Sequence, residues 1–181
     1  MEKKKRPRIA RKLIGEVVID ETVYVANKSS KNAKKVLEKS EHIEIEIWCD
    51  KHYYNRAQLG DEHGKREGIE EDAIKDLMLR SIPHLMYYVL KVPNFNFINF
   101  QVATRYTRIV LRDIKKDGIL NVVVEFHHKE YNRYEATVIT AMQKEDFQIS
   151  VGQNLIELEG DNSYLKKRNG NNIIDIDTFS K

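Results

Sequence analysis

The chain has 181 residues, 41% of them hydrophobic and 33% charged, with a formal net charge of +3. That is enough chain for one domain with a sizeable core, and no stretch approaches the ~18 uninterrupted apolar residues of a membrane span. Cys49 is the sole cysteine, which excludes an internal disulfide and a multi-cysteine zinc site. Beside Trp48 it reads as a small buried hydrophobe, and a reducing cytoplasm fits this usage.

The first twelve residues, MEKKKRPRIARK, hold seven Lys or Arg. Such arms either bind phosphate backbones or remain solvated termini. The basic start lacks an apolar h-region and a small-residue cleavage site, so no signal peptide is expected. Residues 15–26 (GEVVIDETVYVA) read as a strand or small hairpin. Residues 27–40 place Lys31, Lys34, Lys35 and Lys39 around Ala33, Val36 and Leu37, the spacing of a short basic helix. Residues 42–48 (HIEIEIW) alternate strictly and predict an exposed-face or edge strand with Ile43, Ile45 and Ile47 inward. His42 reads as a surface residue.

Asp50 is a plausible N-cap for a helix over 51–59, in which His52 and Arg56 share a face one turn apart. Residues 60–68 (GDEHGKREG) break that helix and expose Lys65 and Arg66. Ile69, Ala73, Ile74, Leu77 and Met78 form the buried stripe of a second helix, with Glu70, Glu71 and Asp72 in its first turn. Pro83 interrupts the pattern, so residues 84–90 are expected to form a separate buried turn or strand, with His84 as a core histidine. Phe95 and Phe97 alternate within NFNFINF and serve either as core or as stacking partners for bases.

Three strands follow, over 107–112, 120–126 and 134–140, and a fourth is expected over 154–158. Arg108 and Arg112 lie on one face of the first. In the second, Leu120, Val122, Val124 and Phe126 form the apolar face, leaving Asn121, Val123, Glu125 and His127 on the other. A polar turn over 129–133 leads into the third strand, where Glu135 and Thr137 align with Glu125 and His127 as a polar patch. The remaining Asn- and Gly-rich residues, with Lys166, Lys167 and Arg168, read as a loop or tail. Helices first and a meander after argue an α+β fold. The division is a basic arm over 1–14, a single α+β domain over 15–160 and a polar tail over 161–181.

No Gly-rich phosphate loop, nucleophile elbow, HExxH or dinucleotide fingerprint is present. A looser set remains: His52, Arg56, Lys65, Arg66, Arg108, Glu125, His127 and Thr137. Metal-free RNA cleavage needs a base for the 2′-hydroxyl, an acid for the departing oxygen and cations for the phosphorane. Histidine suits the proton transfers and arginine the phosphate. Each of these residues alone reads more readily as part of a surface salt bridge or cross-strand pair. A competing reading makes Glu125 and His127 metal ligands, completed by His52 or His63; His128 points to the other face and is excluded.

The run His52-x-x-x-Arg56, then Arg66-Glu67-Gly68-Ile69 before an acidic helix start, resembles the helix segment of small RelE/BrnT-like toxins. LNVVVEFH…YEATVITAM looks like the closing strands of that group. The group belongs to the Barnase–EndoU–colicin–RelE superfamily of metal-independent endoribonucleases, and the resemblance spans residues 50–142. It implies helices packed on a four-stranded antiparallel sheet, behind an N-terminal strand and helix extension, with RNA across the open sheet face. It implies His52 as general base or acid, Arg56 and Arg66 on phosphate, and Thr137 or Thr140 hydrogen-bonding the phosphate. His127 fits the second proton-transfer role. No cofactor is implied; the partners would be RNA and a cognate antitoxin or immunity protein, in a cytoplasmic toxin of a phage or mobile element. The alternative is a non-catalytic nucleic-acid-binding or regulatory protein using the basic arm and the sheet face, and the third is a structural or protein-interaction domain.

Overall fold

A computed structural model describes residues 24–37, 44–51, 53, 69–100, 104–115, 118–130 and 132–180. The basic arm, most of the first expected strand, and His42, His52, Arg56, His63, Lys65 and Arg66 lie outside the described residues. The elements are β1 (Ala33–Leu37), β2 (Glu44–Asp50), α1 (Glu71–Lys91), β3 (Ile98–Asn99), β4 (Arg108–Lys115), β5 (Gly118–Glu130), β6 (Arg133–Gln143), β7 (Asn154–Glu159), β8 (Asn162–Asn169) and β9 (Asn172–Phe179).

Helices packed on a four-stranded meander do not describe this chain. The described residues form one nine-stranded mixed sheet, in the order β1-β2-β6-β5-β4-β7-β8-β9 with β3 on β5, and one long helix. The antiparallel run β4-β5-β6 is as the alternation predicts. The expected fourth meander strand, β7, instead runs parallel to β4 on the opposite edge of that run. β2 is an interior strand, antiparallel to β1 and parallel to β6, and both of its faces are buried because both are covered. Residues 33–37 are a strand where helical spacing was read, because their partner is the β2 edge, which periodicity does not encode. The expected tail forms the hairpin β8–β9, whose alternation places Ser163 and Leu165 inward.

α1 runs unbroken through Pro83. Pro83 is exposed, and the buried stripe Ile74, Leu77, Met78, Ser81, Leu85 and Tyr88 continues across it. This stripe covers the face carrying Ile47, Leu111, Val124, Phe126, Val138 and Ile156. Each such side chain removed from water stabilises the fold by roughly 1.5–3 kcal/mol. Phe95 and Phe97 belong to this core: Phe97 meets Phe126 edge-on at 5.1 Å and Phe95 meets Tyr88 at 6.1 Å, so neither is open to a base. His84 is also buried, edge-on to Phe179 at 4.8 Å. No helix among the described residues is long and apolar enough to cross a membrane.

Candidate functional site

The sheet face away from α1 is where the polar residues of β2, β6, β5 and β4 gather. The β5–β6 register sets Glu125 opposite Thr137 and His127 opposite Glu135. The β2–β6 register adds Glu46 beside Glu135 and Trp48 beside Thr137, and Arg108 on β4 faces Glu125. A bulge at Ile139 shifts the phase of β6, so Thr140 stands opposite Val123 on this same face. Without the bulge its side chain would turn to the core.

A strand face of this kind normally meets water, yet Glu46, Glu125, His127, Glu135 and Thr137 are all buried. Two segments cover it. Residues 27–30 reach across β6, β5 and the end of β2. Residues 144–153 cover the β4 and β7 side, where Ile149 packs on Val110, Val123 and Leu155. Arg112 belongs to this second cover: it donates to Asn121 at 2.8 Å, Glu157 at 3.1 Å and the Phe147 carbonyl at 3.0 Å. It is a structural tie rather than a free cation.

Under the first cover, Arg108 Nε donates to Glu125 Oε1 at 2.6 Å, while the rest of its side chain is half exposed. His127 Nε2 lies 3.3 Å from Glu125 Oε2 and 2.7 Å from Ser29 Oγ. Tyr106 meets the imidazole edge-on at 4.6 Å. Thr137 Oγ1 accepts from the Asn27 carboxamide at 2.6 Å, and Glu135 accepts from the Lys28 backbone N–H at 2.9 Å. One strand over, Glu46 is clamped by Lys129 at 2.9 Å and Lys35 at 3.2 Å. Burial pushes the Glu125 carboxyl up, but hydrogen bonds from His127, Ser29 and Arg108, with the charge of Arg108, outweigh it and hold the group below its ordinary value. Burial of Glu46 is likewise outweighed by Lys129 and Lys35.

Ser29, His127 and Glu125 are the residue types of a hydrolase relay, but not its geometry. In a relay the serine uses one imidazole nitrogen and the acid holds the other. Here both partners sit on Nε2. The arrangement suits a proton shared among a hydroxyl, an imidazole and a carboxylate, with a guanidinium to hold an anion.

Of the residues singled out from the sequence, Glu125, His127, Thr137 and Arg108 come together, Thr140 stands two pairs further along the ladder, and His52, Arg56, Lys65 and Arg66 are outside the described residues. Among the described residues no group of three or more His, Cys, Asp or Glu is placed to hold a metal ion, so the metal alternative turns on His52 and His63. Sequence reasoning missed Asn27, Ser29, Lys35, Glu46, Tyr106 and Lys129. Asn27 carries the one usable signal: Asn with serines two and three residues on is turn chemistry, and its Oδ1 accepts from the Ser29 and Ser30 N–H groups at 3.0 and 2.7 Å. His128, on the opposite face as alternation requires, packs on Phe100 and Tyr134. No family model matches the chain, and no curated protein or solved structure gives a significant match.

Proposed function

We propose that the chain is a metal-independent, RNA-directed domain of the acid–base type, acting on cytoplasmic RNA through the buried face of β4, β5 and β6. The observation that carries the reading is the convergence of Glu125, His127 and Arg108 through direct hydrogen bonds. Glu125 would take the proton of a 2′-hydroxyl as its oxygen attacks phosphorus. His127 would give a proton to the departing 5′-oxygen, leaving a 2′,3′-cyclic phosphate. Arg108 would bind the nonbridging oxygens, with Thr137 and Thr140 as further hydrogen-bonding groups.

In-line displacement puts attacking and leaving oxygens on opposite sides of phosphorus. Glu125 and His127, 3.3 Å apart in the covered site, would therefore separate to admit a phosphodiester. The experiment is incubation of the full chain with labelled single-stranded RNA, with and without EDTA, beside Glu125→Gln, His127→Ala and His52→Ala. EDTA-resistant cleavage ending in cyclic phosphate, lost in the first two variants, is the expected result. Cleavage abolished by EDTA would move Glu125 and His127 to the metal reading.

A second reading, RNA binding without cleavage, draws support from the same carboxyl. A Glu held below its ordinary value by three donors is a weak base. Intact RNA in every lane, with binding that weakens steeply as salt rises, would favour it.

A further inference from the structure

Residues 27–30 touch the site at three points and the end of β2 at a fourth. Asn27 reaches Thr137, the Lys28 N–H reaches Glu135, Ser29 reaches His127, and Ser30 reaches Asp50 at the end of β2. The turn is also internally braced. The Asn27 N–H bonds the Ser30 carbonyl at 2.8 Å, and a bridge between Val25 and Ala33, with both hydrogen bonds at 2.9 Å, closes its base. It is a preformed shape that lies on the site as a unit.

Its bonding groups have the character of a ligand rather than of a core. Hydroxyl, carboxamide and backbone N–H are neutral hydrogen-bonding groups, each exchangeable for another of the same kind at small net cost. The Ser29 hydroxyl is the decisive one. It stands on His127 Nε2 at 2.7 Å, and that nitrogen lies 3.3 Å from Glu125 Oε2, so it occupies the place of an alcohol beside the acid–base pair.

We propose that residues 27–30 are an internal occupant of the site, with the Ser29 hydroxyl standing where a ribose 2′-hydroxyl binds, so that RNA engages by displacing the turn. This rests on the RNA-directed reading above and adds its regulation: the resting protein is closed, and the competitor is part of the same chain. Displacement frees Thr137, Glu135 and the Glu125–His127 pair together, because the turn is braced and leaves as one piece. It also accounts for burial at a face that has to meet a polymer.

The test uses the full chain and Asn27→Ala/Ser29→Ala, with a labelled mixed-sequence oligoribonucleotide and its DNA counterpart. Affinity is measured alongside hydrogen exchange at the Lys28 amide and tryptic cleavage after Lys28, both of which report the turn without reference to activity. RNA should speed exchange and cleavage at Lys28 in the wild type, DNA should not, and the double variant should bind RNA about tenfold more tightly. RNA that binds with Lys28 exchange unchanged, and no more tightly to the double variant, would overturn the displacement while leaving the RNA reading in place. A double variant whose Lys28 exchanges faster yet binds no RNA would overturn both.

Discussion

Glu125 is held as an anion in a buried place by three donors, and this links it to the stability of the fold as well as to chemistry. Its folded pKa lies below its ordinary value of about 4.3, so its contribution is complete above that pH. The contribution is lost as pH falls through the window between the unfolded and the lower folded value. Glu46, clamped by Lys129 and Lys35, has the same sign. Glu125→Gln and Glu46→Gln should each flatten the fall of stability below about pH 4.3, as read by denaturant unfolding at a series of pH values. If the wild type and both variants lose stability in parallel there, other groups carry the acid response. The residues of this site that alternation could reveal were Glu125, His127 and Thr137, since a strand with one apolar face declares the other. Ser29 was hidden because a four-residue polar turn has no period, and Asn27 announced the turn but not the site beneath it. Glu46 looked like a solvent-face residue because nothing in HIEIEIW says that a second layer lies over it.

At the scale of elements, periodicity identified β2, β4, β5, β6 and β7 and failed where the decisive fact was a partner. β1 shows this: its lysines and small apolar residues fit a helix, and only the β2 edge makes them a strand. Pro83 shows the converse. A proline normally ends a helix, yet α1 continues because the burial of residues on both sides outweighs one missing hydrogen bond on an exposed face. Pro83→Ala should therefore stabilise the protein by roughly 1–3 kcal/mol, read as a shift in denaturant midpoint, with the helical signal unchanged. A loss of stability would mean that proline's restriction of the unfolded chain is the larger effect. Five residues on, the Tyr88 hydroxyl ties α1 to the last hairpin. It donates to the Ser163 carbonyl at 2.8 Å, accepts from the Phe179 N–H at 3.2 Å and lies 2.9 Å from Ser163 Oγ. Tyr88→Phe keeps the ring and strands those groups, at a cost of about 1–3 kcal/mol. Hydrogen exchange should rise at Phe179 before it rises in β5; equal protection at both would show that the hydroxyl does not hold the hairpin.

For the molecule as a whole, the order of strands was the illegible part. Nothing in residues 154–159 distinguishes a strand that pairs with its predecessor from one that crosses to β4, because alternation fixes which face is buried and not which neighbour it lies beside. That crossing changes the standing of residues 161–181. Read as a polar tail, they would be dispensable. As β8 and β9 they extend the sheet under the end of α1, with Leu165 in the core and Phe179 packed 4.9 Å from Tyr87. Leu165→Ala should cost about 2–5 kcal/mol, since it opens a cavity in the core beneath the helix. In a chain of this length each kcal/mol lowers Tm by roughly 2–4 °C, so calorimetry should show a fall of about 4–20 °C. Removing residues 161–181 should do more, because the end of α1 and the outer edge of β7 would lose their cover together and the protein would expose apolar surface. A truncated chain that melts within about 2 °C of the full one would mean that the sheet effectively ends at β7. In that case the hairpin would be an appendage to a fold completed by the residues before it.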